Sequence, residues 1–523
     1  MPMGELRLGT RRSALAWAQS LWVAEHIQRL NPGTQVRLIP IETRGDRITD
    51  LPLSQVEGKE FFSAEIDAAL LAGDVDLTVH SLKDLSLERP AQLTLAAIPK
   101  RENPRDVIIF RADVRQRLRS GQVLRIGTSA PRRLENVPRF IARALPGDGL
   151  ARVECVEIRG NVDTRLGRLH EPEASERRLD GVVLAFAGLI RLWRDTRPEG
   201  GREKLRALLQ NIRWMVLPLT DCPTAPGQGA LAVECRSNAA DVRTALARLN
   251  DETSARLAAV ERQVLAQYGG GCHQRFGATC IEHPAFGSLL YLRGVGPGAE
   301  PLDRVTWLGM PQPPRPPTHW WDGFSARESN DVPAADISYA VDAAFRDSSA
   351  PVFVAHSRAL PSHAAARLST HRVWTSGTAS WFRMARLGVW VEGCAEGLGY
   401  ESIAPTLGEP VLGLPPLDKW QILSHAAAAD HWPGGEVIGT YRLPEVGTQT
   451  IPDAASLTHV YWASGSQFRE LWSRLPASVH HACGPGKTAH LIRAAGISNL
   501  TVFPSVHEWR RWLQIEPPTQ ATD

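Results

Sequence analysis

No stretch of this chain is apolar enough to cross a bilayer. The longest such run, Gly181 to Ile190, stops at Arg191, well short of the ~20 residues a membrane span needs. Neither sign of charge is in excess. With a net charge of +3 over 523 residues and a pI near 8.5, bulk electrostatics single out neither nucleic acid nor an anionic membrane as partner, so any anion site must come from local clustering. The basic clusters also lack interleaved aromatics, which weighs against single-stranded nucleic acid. Lysine is scarce, being confined to Lys59, Lys83, Lys100, Lys204, Lys419 and Lys487. Against so many arginines, a retained lysine marks a place where a compact ammonium is wanted. The seven cysteines include no CxxC pair and no histidines at metal-ligand spacing, so reduced thiols and no metal site are expected. Behind Arg7, Arg11 and Arg12 there is no apolar stretch ending in a small-residue cleavage site, and the expectation is a cytoplasmic protein.

What is present is a multidomain α/β pattern, since 523 residues exceed what one core supports. Leu6 to Gly9 reads as a strand, followed by a helix carrying Ala18, Trp22, Val23, Ile27 and Leu30, stopped at Asn31-Pro32-Gly33. Strand, helix and strand then recur near 36–41, 63–71 and 75–79. After Pro104 the rhythm resumes, with strands near 107–110, 124–127, 153–158 and 182–186. These segments predict a first, largely parallel α/β domain over residues 1–103 plus about 200–221, and a second over 104–199. A small α+β domain is expected over 222–308, a Pro-rich linker over 309–335 around Pro311-Gln312-Pro313-Pro314-Arg315-Pro316-Pro317, and a Trp-rich α/β region over 336–523.

Several strands end in a polar or basic cluster: Thr10-Arg11-Arg12-Ser13, His80-Ser81-Leu82-Lys83-Asp84, Thr128-Ser129-Ala130-Pro131-Arg132-Arg133 and Arg159-Gly160-Asn161. Carboxyl ends of strands in open α/β sheets are where ligands bind, and the next helix offers N–H groups to anions. The shared address points to one polycarboxylate held between two domains by arginine forks. For any single cluster the alternative is a solvated arginine on an arginine-rich surface. Asp84 stands apart as a carboxylate in a site built for anions, placed to stabilise a developing cation or shuttle a proton; its alternative is a helix N-cap. Cys272 follows Gly269-Gly270-Gly271, which free the backbone to expose a thiol, whereas a lone cysteine is most often a small buried residue.

These motifs, with Thr43-Arg44-Gly45-Asp46-Arg47, Arg159-Gly160-Asn161-Val162-Asp163-Thr164-Arg165 and Ala225-Pro226-Gly227-Gln228-Gly229-Ala230, occur in the order seen in hydroxymethylbilane synthases (porphobilinogen deaminases), and the resemblance spans residues 5–295. It implies two domains like those of periplasmic binding proteins and a third carrying a dipyrromethane cofactor as a thioether on Cys272. The implied reaction condenses four porphobilinogen molecules into a linear tetrapyrrole with release of ammonia. Acetate and propionate groups on every pyrrole match an arginine-lined cleft, and cationic species along the reaction match one carboxylate among the cations. By resemblance Asp84 is catalytic, and Lys83, Thr128, Ser129, Arg132 and Arg133 contact the cofactor. Arg11, Ser13, Arg159, Arg165 and Arg191 would take substrate carboxylates, with Lys59 and Phe62 in a mobile loop over the site. The enzyme is expected to act as a monomer. Glu57 and Glu60 depart from the family's glycines in that loop, Ala130 stands where a serine is common, Ser86 replaces a proline, and His273-Gln274-Arg275 is an atypical continuation. The altered loop motivates the rival reading, a non-catalytic polycarboxylate-binding or sensor protein.

The C-terminal third resembles uroporphyrinogen-III synthase through Val373-Trp374-Thr375-Ser376-Gly377-Thr378, Gly397-Leu398-Gly399, Tyr461-Trp462-Ala463-Ser464-Gly465-Ser466 and Cys483-Gly484-Pro485-Gly486-Lys487-Thr488-Ala489. The resemblance implies a second activity acting on the first product; the alternative is a degenerate domain that only packs on the synthase. Gly486-Lys487-Thr488 is no phosphate loop, because the required first glycine falls at His481.

Overall fold

The computed structural model describes residues 4–43, 64–147, 152–271, 273–311, 318–323, 350–360, 362–426, 432–441, 451 and 453–514. The chain starts in one sheet with β1 (Glu5–Arg11), β2 (Gln35–Ile41), β3 (Leu77–Ser81) and β4 (Leu93–Ala97), then crosses to a second with β5 (Asp106–Arg111), β6 (Leu124–Gly127), β7 (Val153–Val156), β8 (Gly181–Ala185) and β9 (Ile212–Val216). It returns to the first as β10 (Leu231–Arg236). The strand orders are β2-β1-β3-β10-β4 and β7-β6-β8-β5-β9. In each sheet the strand that completes the crossing runs antiparallel: β10 against β3 and β4, and β5 against β8 and β9. The sheets are therefore mixed, where the residue pattern predicts largely parallel ones.

Two expected boundaries are corrected. Residues 200–221 do not join the first domain, because β9 pairs along its whole length with β5 of the second sheet. The small domain does not start at 222, because β10 lies inside the first sheet, and the helix Ala240–Ala247 packs beside it against β4. Periodicity reports that a segment is a strand, while pairing partners are a tertiary choice. The small unit consists of the helix Glu252–Gln267 on an antiparallel meander, β11 (Phe276–His283), β12 (Gly287–Val295) and β13 (Pro301–Leu308). Asp251 caps that helix by accepting from Ser254 N at 2.7 Å.

The expected linker 309–335 also contains structure. β14 (Trp320–Asp322) pairs in parallel with β20 (His459–Trp462), and the last sheet runs β14-β20-β21-β22, with β21 at His480–Cys483 and β22 at Leu500–Val502. Between these segments lies another all-parallel sheet, β17-β16-β15-β18-β19, built from β15 (Val352–Val354), β16 (Val373–Thr375), β17 (Val391–Cys394), β18 (Gln421–His425) and β19 (Glu436–Tyr441). The C-terminal third is thus two lobes, the chain starting and ending in the same one.

Those lobes are packed on the synthase-like half. One continuous core joins Ile108, Phe110, Phe140 and Met215 to Trp381, Trp390 and Val391. Trp381 Nε1 donates to Ala144 O at 3.1 Å and Trp390 Nε1 to Trp214 O at 3.0 Å, so both buried indoles find partners across the junction. Among the tryptophans beyond residue 336, Trp381 and Trp390 serve this junction, whereas Trp420 and Trp462 bond within the C-terminal region.

Candidate active site

The first wall of the site grows from β3. Its last residues lead into a single 3-10 turn, Leu82–Asp84, whose start at Ser81 has no side-chain cap. Asp84 closes the turn, so it is not a helix N-cap. Its side chain is exposed and makes no hydrogen bond among the described residues. Lys83 points inward, with Nζ 3.4 Å from Gln228 Oε1. Burial pushes its pKa down, while the neighbouring Asp84 carboxylate pulls it up.

The opposing wall grows from β6. Thr128 is buried at the strand end and turns its N–H to Val156 O; half-buried Ser129 follows. The helix Pro131–Ala144 then opens on Ala130, which supplies no capping side chain; Pro131 has no N–H and Arg133 N donates to Ala130 O at 2.9 Å, so the Arg132 N–H is the one left for another acceptor. The arginines here are not free forks. Arg132 Nη1 donates to Asp106 Oδ2 at 2.6 Å, and Arg133 grips the same carboxylate through Nε at 2.9 Å and Nη2 at 2.7 Å. Burial would raise the Asp106 pKa, but the two guanidiniums outweigh it and hold the carboxyl well below the usual range. No feature of the residue pattern points to Asp106. It neutralises one of three cations, counting Lys83, and leaves the wall cationic.

Arg159 and Arg165 extend this wall. The Gly160 φ of 105° is open to glycine alone, and Arg165 Nε donates to Gly160 O at 2.8 Å. Burial and the neighbouring Arg133 and Arg159 lower the Arg165 pKa to about 10, with Asp84 opposing; Arg165 therefore lies within electrostatic reach of both walls. Arg159 Nη1 is buried without a partner among the described residues, an orphaned donor of the kind a ligand carboxylate would satisfy. Arg11 sits near half-buried His80, whose pKa is lowered by desolvation first and by Arg89 and Arg11 after it, against the opposing Glu234 and Asp67. Ser13 Oγ accepts from Ala16 N at 3.3 Å, capping the helix Ala14–Leu30. Arg191 donates to Gly229 O at 2.7 Å, and burial lowers its pKa to about 10.

Between the walls runs the Ala225–Gly229 loop. Gln228 is the junction: Oε1 accepts from Lys83 and from Arg132 at 3.1 Å, while Nε2 donates to Pro104 O and Asp106 Oδ1, both at 2.8 Å. The loop motif was legible in sequence, but its role in joining the two cation clusters was not. Gly229 at φ 86° lies so close to the first crossing that a Cβ would sit 2.4 Å from Glu102 O.

Cys272, Lys59 and Phe62 lie outside the described residues. The glycines before Cys272 all adopt positive φ: 86°, 72° and 89° for Gly269, Gly270 and Gly271. A Cβ on Gly270 would meet Leu87 Cδ1 at 3.2 Å, and Arg262 donates to Leu85 O and Ser86 O at 3.1 and 2.9 Å. The approach to Cys272 is therefore held against the segment that follows Asp84. Buried Glu261 fixes the small unit in place, bonded to Arg101 at 2.6 and 3.0 Å and accepting from Gly227 N and Cys280 N, both at 2.6 Å.

Asp67, His80 and Glu234 bring possible metal-ligand atoms within 4.8 Å of one another. Arg89 fills that role instead, donating to Asp67 at 2.9 and 2.7 Å and to Glu234 at 2.9 and 2.8 Å.

Taken together, these features define an α/β protein with a two-walled, cation-rich cleft and one exposed carboxylate. The family model for the porphobilinogen deaminase dipyromethane cofactor binding domain matches residues 6–244. Porphobilinogen deaminase 1 of Streptomyces avermitilis is 42% identical over 277 residues, covering 52% of this chain and 77% of that protein. The porphobilinogen deaminase of Pelobacter propionicus is 39% identical over 272 residues (52% and 78%), and that of Trichlorobacter lovleyi 42% over 267 residues (51% and 76%). The chain belongs to the porphobilinogen deaminase family. No helix among the described residues is long and apolar enough to cross a membrane.

Proposed function

We propose that this chain works as a hydroxymethylbilane synthase, condensing four porphobilinogen molecules with release of ammonia in tetrapyrrole biosynthesis, in the cytoplasm. The observation that carries the reading is the pairing of exposed Asp84 with the cationic wall of Arg132, Arg133, Arg159 and Arg165 in a chain of this family. The dipyrromethane cofactor, when attached to Cys272, supplies the primer on which the pyrrole chain is extended. The residues present fit such a group, because its carboxylates match the orphaned Arg159 donor, the uncapped helix start at Ala130 and the cations left over after Asp106 is paired.

In this reading Asp84 is the catalytic residue. Its carboxylate lies beside the reacting pyrrole and stabilises the positive charge that develops there, and Lys83 next to it takes a cofactor carboxylate. Thr128, Ser129, Arg132 and Arg133 orient the cofactor. Arg11, Ser13, Arg159, Arg165 and Arg191 orient incoming substrate, with Arg191 and Ser13 also anchoring backbone. The intact mass of purified protein is expected to exceed the sequence mass by one dipyrromethane, and Cys272→Ser to abolish the excess. A wild-type chain without the adduct that consumes no porphobilinogen refutes the reading and leaves the non-catalytic binder.

For the C-terminal lobes we propose uroporphyrinogen-III synthase activity on the linear product. The polar turns Thr375–Thr378 and Gly484–Thr488 lie at carboxyl ends of parallel strands, and Lys487 Nζ of one lobe stands 4.4 Å from the Trp432 ring centroid of the other. Incubation with porphobilinogen followed by oxidation reads out the isomer; type I product alone refutes it. The buried Arg105–Glu396 pair favours a second role for these lobes.

A further inference from the structure

The cleft walls belong to different sheets, so their spacing depends on the two segments that cross between them, 98–105 and 217–230. Such crossings are the usual place for hinge motion, because a few residues absorb the backbone change. Here they are held to each other by Glu102 N donating to Gly229 O at 3.0 Å and by Gln228 donating to Pro104 O. Both are then gripped from outside by one residue of the C-terminal region. Glu396 Oε1 accepts from Arg105 Nε at 3.0 Å and Nη2 at 2.5 Å, on the first crossing. Its Oε2 accepts from Leu219 N at 2.8 Å and Thr220 N at 3.1 Å, on the second.

The grip is buried and built. The Glu396 side chain is fully buried and Arg105 is 8% exposed. Glu396 itself has φ 56°, a left-handed conformation a residue with a Cβ adopts only when its surroundings over-determine it. Further contacts converge nearby. Asn103 Nδ2 donates to Thr406 Oγ1 at 2.8 Å, Arg194 bridges Glu102 to Glu409, and His283 of the small unit lies 3.0 Å from Leu398 O. Arg105 directly precedes Asp106, the anchor of Arg132 and Arg133.

We propose that Glu396 is a positioning residue for the synthase reaction: by tying both crossings to the C-terminal lobes it sets the distance from Asp84 to the arginine wall. This rests on the synthase reading above. The C-terminal region is then part of the first active site's geometry, whatever its own catalytic activity.

The test uses the full chain, with rates expressed per pyrrole-loaded molecule from intact mass, so that loading reports on the synthase reading and rate on this inference. Glu396→Gln keeps an acceptor for Leu219 N and Thr220 N but removes the charge facing Arg105. It is expected to lower kcat about ten-fold with KM within about two-fold, since misplacement of the order of 1 Å is felt in the chemical step. Amide exchange over 103–106 and 217–222 should quicken, and Arg105→Gln combined with Glu396→Gln should be no worse than either alone. A kcat per loaded molecule within two-fold of wild type, whatever the melting temperature, overturns the proposal, as does an effect carried wholly by KM. If Glu396→Gln yields no soluble chain, Thr406→Val removes only the outer grip on Asn103. A roughly three-fold fall in kcat at steady KM is then expected, and an unchanged kcat overturns the proposal.

Discussion

Asp106→Asn is the most informative single change, because one buried carboxylate holds both arginines of the second wall. Asp106 accepts from Arg132 at 2.6 Å, from Arg133 at 2.9 and 2.7 Å and from Gln228 at 2.8 Å, and is 1% exposed. The amide keeps the shape but leaves two buried guanidiniums uncompensated, which costs about 3–5 kcal/mol. For a unit of 150–250 residues each kcal/mol moves the melting temperature by ~2–4 °C, so a fall of ~6–20 °C is expected in the transition of the second sheet, read by calorimetry at pH 7. The pH dependence has a definite sign. The folded pKa is held below its ordinary 3.8, so the wild-type advantage is fully present above about pH 4 and lost only as pH falls further, when the unfolded chain takes up the proton first. The gap between wild type and variant should be constant from pH 7 to 5 and narrow below ~4. A gap under ~2 °C at pH 7, or one that widens in acid, refutes the account.

Other consequences are similarly direct. Glu261→Gln breaks the bidentate bond to Arg101, at about 3–5 kcal/mol, and should speed exchange of the Gly227 and Cys280 amides; unchanged protection refutes it. Gly229→Ala combines a φ of 86° with a Cβ 2.4 Å from Glu102 O, for about 2–4 kcal/mol of destabilisation. Gly4→Ala, with nothing within 4 Å, is the neutral control. Burial lowers His480 and His481 to about 4; neutral in the fold, they contribute fully above about 6.5 and lose that contribution as pH falls toward 4. Tryptophan fluorescence from the lobe holding Trp462, which donates to His481 at 3.0 Å, should report loosening over that window, and a flat profile from pH 7 to 4 refutes the assignment.

The strand ends were legible because ligand chemistry in an α/β sheet concentrates polar residues where a strand stops, and periodicity marks that point. Lys83, Asp84, Arg132, Arg133, Arg159 and Arg165 all stand at or just beyond such ends, and in the structure they lie within electrostatic reach of one another. The roles of Asp106, Gln228 and Glu396 were not legible, because each acts on partners tens or hundreds of positions away: 26 residues from Asp106 to Arg132, 96 from Arg132 to Gln228 and 291 from Arg105 to Glu396.

The sequence by itself determined the alternation of strands and helices, the polar and basic clusters at the strand ends and the run of glycines before Cys272. These depend on local backbone preference and on which side chains neighbours in the chain can present. Only the tertiary structure decided that β9 and β10 exchange sheets, that two of the arginines spend charge on Asp106, and that the lobe built on β15–β19 shares a core with the second sheet while the other lobe shares one with the small unit. Each of these is a choice of partner for a buried group, and burial makes the choice energetically decisive while leaving no trace in the spacing of residues along the chain.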